Sequence, residues 1–218
     1  MSRELFEAIA TGATEEVRAL IADQPLLASA CGADGVPAVR AACYRGHAEI
    51  VEILVAAGAD LDVFDAAALG RTERLGEVLD ARPDLIDAIA TDGFAPLQLA
   101  SFFGRSDTVR LLLDRGAAPA TISHNEMAIH ALNAAAAGAH SDIAALLLDA
   151  GADPDAAQHD GWTPLMSAAA NGDDTTVDLL LAHGADATAR SDDGKDAATL
   201  ADERGHPLLA ERLRTLSP

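Results

Sequence analysis

The chain has 218 residues, half of them hydrophobic but only 3% aromatic, and 35 acidic side chains against 15 basic ones give it a formal charge of −20. That balance excludes nucleic acid, whose phosphates need a basic surface, and argues against an anionic membrane face; a basic partner would be steered toward it, although acidity of this kind commonly serves solubility alone. So few rings suit a stack of Ala and Leu helices better than a closed globular core, and no run approaches the ~18 uninterrupted apolar residues that a membrane helix needs.

From the amino end, Met-Ser-Arg-Glu-Leu-Phe-Glu is acidic and lacks an apolar stretch of signal-peptide length, which predicts a cytoplasmic protein. An alanine-rich helix, a small-residue break and an aliphatic helix then recur seven times. The breaks fall at Gly12, Gly46, Gly70, Gly104, Ala139, Gly172 and Gly205, 33 to 35 residues apart except for 24 between Gly46 and Gly70. A period near ~33 residues marks a solenoid, in which each unit touches only its neighbours and function lies on the long exposed surface. The predicted units are 1–31, 32–64, 65–89, 90–124, 125–157, 158–190 and 191–218, in one elongated domain, the outer units serving as caps. The third passes straight from Phe64 into Asp65-Ala66-Ala67-Ala68, with no room for a connecting hairpin. A gap in the row of connections and a change of curvature are expected there.

Within a unit the local chemistry is legible. Thr163-Pro164 starts a helix, because Thr caps orphan N–H groups and Pro is tolerated where its missing donor costs nothing. Ile50, Val51, Ile53 and Leu54, or Ile143, Leu146, Leu147 and Leu148, follow the i, i+3, i+4 pattern of a buried face. Gly58 or Gly184 supplies a left-handed residue that ends the second helix.

Gly161-Trp162-Thr163-Pro164-Leu165, Gly46-His47-Ala48-Glu49-Ile50-Val51 and the recurring Gly-Ala-Asp at 58–60, 151–153 and 184–186 resemble the ankyrin repeat family. The resemblance covers residues 2 to 216. It implies an all-α solenoid of antiparallel helix pairs joined by short β-hairpin fingers, the third unit truncated. Some positions depart from the family pattern. Pro37-Ala38, Ala95-Pro96 and His130-Ala131 replace Thr-Pro, and Arg40, Gln98, Asn133 and Met166 replace the histidine of Thr-Pro-Leu-His. The loss of that histidine predicts weaker bonding between adjacent fingers.

The family pattern also implies which positions face the concave groove, around the finger glycine and just before the helix break. Read there, the chain offers Tyr44, Arg45, Phe94, Phe102, Phe103, Ile129, His159, Asp160, Trp162 and Asn171 as partner-binding residues. Five of the seven aromatic residues fall in that set, and large rings left in water are enriched where partners bind. The competing explanation, that Phe102 or Phe103 turns inward beside the short third unit, fits one of them but not all five. Phe94, Phe102 and Trp162 are expected to form the apolar centre.

Catalytic signatures are absent: no phosphate loop, no Gly-x-Ser-x-Gly elbow, no His-Glu-x-x-His. Cys31 and Cys43 lack metal-ligand spacing, and Cys43 stands where other units place Ala67, Ala135 and Ala169, as a small packed residue would. His47, His140, His183 and His206 recur with the repeat. His124, His130 and His159 gather near Asp160 and Glu126 in the fingers of units five and six, but their spacing matches no ligand motif. The reading is a non-enzymatic, monomeric module for a protein or peptide, without metal or cofactor. The alternative is a small-molecule binder or unusual enzyme with a pocket at units four to six.

Overall fold

A computed structural model describes residues 2–216 as seven helix pairs. They are α1 (Ser2–Thr11) with α2 (Thr14–Asp23), α3 (Ala38–Tyr44) with α4 (Ala48–Ala56), α5 (Val63–Leu69) with α6 (Thr72–Ala81), and α7 (Pro96–Phe102) with α8 (Ser106–Asp114). They continue with α9 (Ala131–Ala137) and α10 (Ser141–Asp149), α11 (Pro164–Asn171) and α12 (Asp174–Ala182), and α13 (Ala197–Glu203) and α14 (Pro207–Leu216). Every break has left-handed backbone, from φ 88° at Gly205 to φ 55° at Ala139, the one break without glycine. At Gly104 the glycine answers a second demand, because a Cβ there would lie 2.6 Å from the His140 ring. His140 Nε2 sits 3.2 Å from the Phe102 carbonyl oxygen, tying the fifth unit to the fourth.

The first helices pack in unbroken succession from α1 to α13. Their alanines allow this: Ala66, Ala67, Ala100, Ala135, Ala168 and Ala201 are fully buried and let the axes approach closely. Side-chain caps fix several helix starts. Thr163 Oγ1 accepts from Met166 N at 3.3 Å, and Asp62 Oδ1 accepts from Asp65 N at 2.7 Å. Each such cap stabilises its helix by about 1 kcal/mol.

The fingers are tighter than the expected hairpins. Among the described residues no strand forms, and one isolated bridge joins Cys31 to Pro37. Each finger closes on a backbone bond across its tip: Gly32 N to Val36 O, Ala90 N to Phe94 O, Ser123 N to Ile129 O, Gln158 N to Trp162 O and Ser191 N to Lys195 O, all at 2.9 Å, and the second unit's finger adds Ala38 N to Ala30 O at 2.9 Å. Turns this short leave no residues for a ladder. The fifth unit's finger holds two residues more than its neighbours between the bonded ends. In the third unit α5 begins at Val63 with no finger before it.

Two expectations about the fingers are corrected. Gln98 and Asn133 do not weaken the bonding between units, because their amides supply what the family histidine would. Gln98 Oε1 accepts from Ala95 N at 2.7 Å while Nε2 donates to Thr121 O and Ile129 O at 2.9 and 2.8 Å. Asn133 repeats this with His130 N at 3.2 Å and Ala156 O at 2.9 Å. Nor does the missing finger leave a gap. The second unit's finger closes on the fourth's, so that a Cβ on Gly35 would meet Thr91 Cγ2 at 3.4 Å.

The apolar interior is divided at the same place. One cluster runs from Leu5 to Leu54 in the first two units, and a second runs from Val63 to Leu213 in the rest. Between α4 and the break that follows α5 lies a cleft of about 390 Å³, lined among others by Cys43, Val51, Leu69 and Phe103 and bridged by Arg71 Nη2 to Glu52 Oε1 at 2.9 Å.

Candidate partner-binding groove

The missing finger shapes the site. Tyr44 ends α3 and Phe102 ends α7, at matching places on the first helices of units two and four. With no third finger between them, Tyr44 meets the fourth finger directly. Its ring lies 6.4 Å from Phe94 and 5.7 Å from Phe103, and Phe103 meets Phe102 edge to face at 5.1 Å. Such tilted geometries are the favoured ones for aromatic pairs.

These rings open onto a wholly apolar pocket of about 320 Å³, lined by Tyr44, Phe94, Gln98, Leu99, Phe102, Met127, Ile129 and Ala134. Gln98 belongs to the wall without wetting it, since its amide is engaged with backbone. The rim stands in water: Tyr44 is 39% exposed, Phe102 47% and Met127 51%. Three large apolar side chains around one hollow form a contiguous sticky surface rather than scattered residues.

Four of the ten residues singled out from the sequence, Tyr44, Phe94, Phe102 and Ile129, line this pocket. Phe103 supports it from behind and faces the cleft beside Leu69 and Arg105. Phe103 is half-buried there and joins neither apolar cluster. Trp162 is a correction: its half-buried ring packs against the larger apolar core, away from the pocket. It follows Phe94 and Ile129 in finger position, but no ring from the sixth unit enters the hollow. Arg45 is exposed beyond the end of α3 and lies outside the lining. His159 and Asp160 pair with each other in water at 3.2 Å, with both side chains more than half exposed. Asn171 Nδ2 donates to Ala136 O and Ala137 O, both at 3.1 Å, and so joins units five and six.

Met127 was missed, and its signal was the length of the fifth finger. Two extra residues carry it out over the hollow, with Ala128 held at φ 47° in the turn. Arg40 and Asp92 were missed as partners. They meet because α3 and the fourth finger become neighbours only once the third finger is absent.

The histidines do not converge. His124 is exposed in the fifth finger, His130 lines a separate hollow with Pro119 and Asp153, and His159 is occupied with Asp160. Among the described residues no three His, Cys, Asp or Glu side chains stand together as metal ligands. Burial pushes the Cys43 thiol up to about 11, with Arg105 pulling the other way, so at neutral pH it is no nucleophile.

Such a molecule, a stack of helix pairs with finger turns and an apolar hollow on its face, is a repeat scaffold. Family models described as "Ankyrin repeats (3 copies)" match residues 63–158 and 131–214, and one described as "Ankyrin repeat" matches residues 34–66. The chain belongs to the ankyrin repeat family. It is also 30% identical over 139 residues to the rat (Rattus norvegicus) "Ankyrin repeat and SAM domain-containing protein 6". That match covers 64% of this chain and 12% of the relative. Ankyrin repeats are generally protein-interaction modules and typically not enzymes. No helix among the described residues is long and apolar enough to cross a membrane.

Proposed function

We propose that this chain is a non-enzymatic binding module whose concave face takes a bulky apolar side chain of a partner protein or peptide. The observation that carries the reading is the apolar hollow beneath Tyr44, Phe102 and Met127. Binding energy concentrates where a large side chain fills a desolvated pocket ringed by weaker contacts. The charge of −20 favours a basic partner, with residues such as Arg45, His159 and Asp160 acting as outlying rim groups. Two free cysteines fit a reducing, cytoplasmic setting, and a solenoid needs no second copy to be stable.

The test is affinity capture followed by titration of the captured partner against two variants. Phe102→Ala should weaken binding about thirtyfold, the equivalent of about 2 kcal/mol, and leave stability within about 1 kcal/mol because the ring is half in water. Trp162→Ala should do the reverse, costing about 1–3 kcal/mol of stability through lost packing with affinity little changed. The opposite pattern overturns the reading.

A second reading has one observation in its favour. A hollow of about 320 Å³ falls within the range of small-ligand pockets. If a purified small apolar molecule saturates the site and partner capture is unaffected by Phe102→Ala, that reading takes its place.

A further inference from the structure

The junction between units two and three holds a group of buried charges that partner binding does not use. Arg40 occupies the place on α3 that Gln98 holds on α7 and Asn133 on α9. Those two amides reach the finger of the next unit. Arg40 has no such finger to reach and is instead enclosed, 2% exposed, by acids from two directions. Asp65, at the matching place on α5 and fully buried, stands 3.1 Å from Arg40 Nε; Asp92, from the tip of the fourth finger, stands 3.4 Å from Nη1. Asp62 adds a longer contact at 3.6 Å, and the Phe64 ring lies 5.4 Å from the guanidinium carbon.

The pairs are close, but Arg40 Nε and Nη1 and both Asp65 oxygens lack an aligned hydrogen bond. A buried cation in that state depends on its acids, and removing one leaves charge uncompensated. Asp92 does more than neutralise. The oxygen that faces Arg40, Oδ2, also accepts the Tyr44 hydroxyl hydrogen bond at 2.9 Å. One carboxylate of unit four therefore grips two side chains of unit two, across the place where the apolar interior divides.

We propose that Asp92 is a positioning residue, a clasp across the absent finger that couples the two apolar cores and holds Tyr44 as a wall of the pocket. Only the pocket's use rests on the binding reading; the clasp stands or fails without a partner. The coupling follows from the geometry. Other neighbouring units pack within one continuous apolar cluster, whereas here the two clusters divide, Arg40 and Asp65 lie buried at the division, and the finger that would have bridged it is missing.

The sequence provides its own probes, because Tyr44 is the sole tyrosine and Trp162 the sole tryptophan. Burial first, and the Asp92 charge second, hold the Tyr44 phenol above its ordinary range. In the intact chain its absorbance should titrate only with alkaline unfolding. In Asp92→Ala it should titrate at least one pH unit lower, toward the ordinary phenol value of about 10, while Trp162 fluorescence still reports a folded larger core. Hydrogen exchange of α1–α4 amides should accelerate at least tenfold relative to those of α7–α14. An unchanged phenol titration, or acceleration shared equally by both halves, overturns the clasp. Should Asp92→Ala fail to fold, Tyr44→Phe deletes only the hydroxyl. At least threefold acceleration confined to α1–α4 then supports the clasp, and none overturns it. No partner enters these measurements, so failure of the binding reading leaves their outcome intact.

Discussion

Asp65 is the residue whose environment departs furthest from that of an ordinary surface carboxylate. Its side chain is fully buried, and its acid is pushed up to about 7, by burial first and by the Asp62 charge next, with Arg40 opposing. The folded chain therefore holds this proton more tightly than the unfolded chain, where an aspartate titrates near 4. Stability from the neutral acid is fully present below about pH 4 and is lost as pH rises through about 7. Arg40 and Cys43 on α3 and Asp62 at the start of α5 face the group and are common to wild type and Asp65→Asn. The stability difference between the two should move in favour of the variant by about 1–3 kcal/mol from about pH 4.5 to about pH 8, on top of a constant offset from the altered Arg40 contact. Denaturant titrations across that range measure it; a difference that does not vary with pH would show Asp65 to be an ordinary ionised partner of Arg40.

Among the elements, the start of α7 bears the most. Gln98 satisfies the backbone of its own helix start and two carbonyls of the following unit, and it is 2% exposed. Gln98→Ala would leave the buried Ala95 N–H without its acceptor and the Thr121 carbonyl without its donor, at about 1–3 kcal/mol for an unsatisfied group, while the Ile129 carbonyl would keep only the Ser123 N–H. We expect a loss of about 2–4 kcal/mol in chemical unfolding, with the fifth finger exchanging faster. A loss below about 0.5 kcal/mol would mean that apolar packing alone seats the finger. That α7 would start at Pro96 was legible, since Pro is pre-organised for the first helical turn. The repair made by Gln98 was not, because the sequence shows an amide at a histidine position without its partners, which lie 23 and 31 residues further on.

On the scale of the whole molecule, the acid excess predicts how encounter responds to salt. Exposed charges are screened beyond about 10 Å at ~0.1 M salt, so a basic peptide should associate at least tenfold more slowly at ~0.3 M than at ~0.02 M, with its dissociation rate little changed. Stopped-flow rates test this. Association indifferent to salt would assign the −20 charge to solubility and leave the apolar hollow to select the partner.

The seven breaks and the helix pairs around them were readable from the sequence because their causes are local. A left-handed residue, a cap and an aliphatic stripe act within one or two turns of chain, so Gly12 through Gly205 marked the units, and the sequence around Phe64 marked the short one. What the tertiary structure decided is which units touch. Tyr44 meets Phe94 and Asp92 because the absent third finger lets the second and fourth close on one another, and Met127 joins the pocket through a longer fifth finger. Trp162 carried the same signature as Phe94, a ring at the end of a finger, yet it packs onto the core. The direction of a ring depends on the neighbouring unit it finds beside it, and the order of residues along the chain leaves that neighbour unspecified.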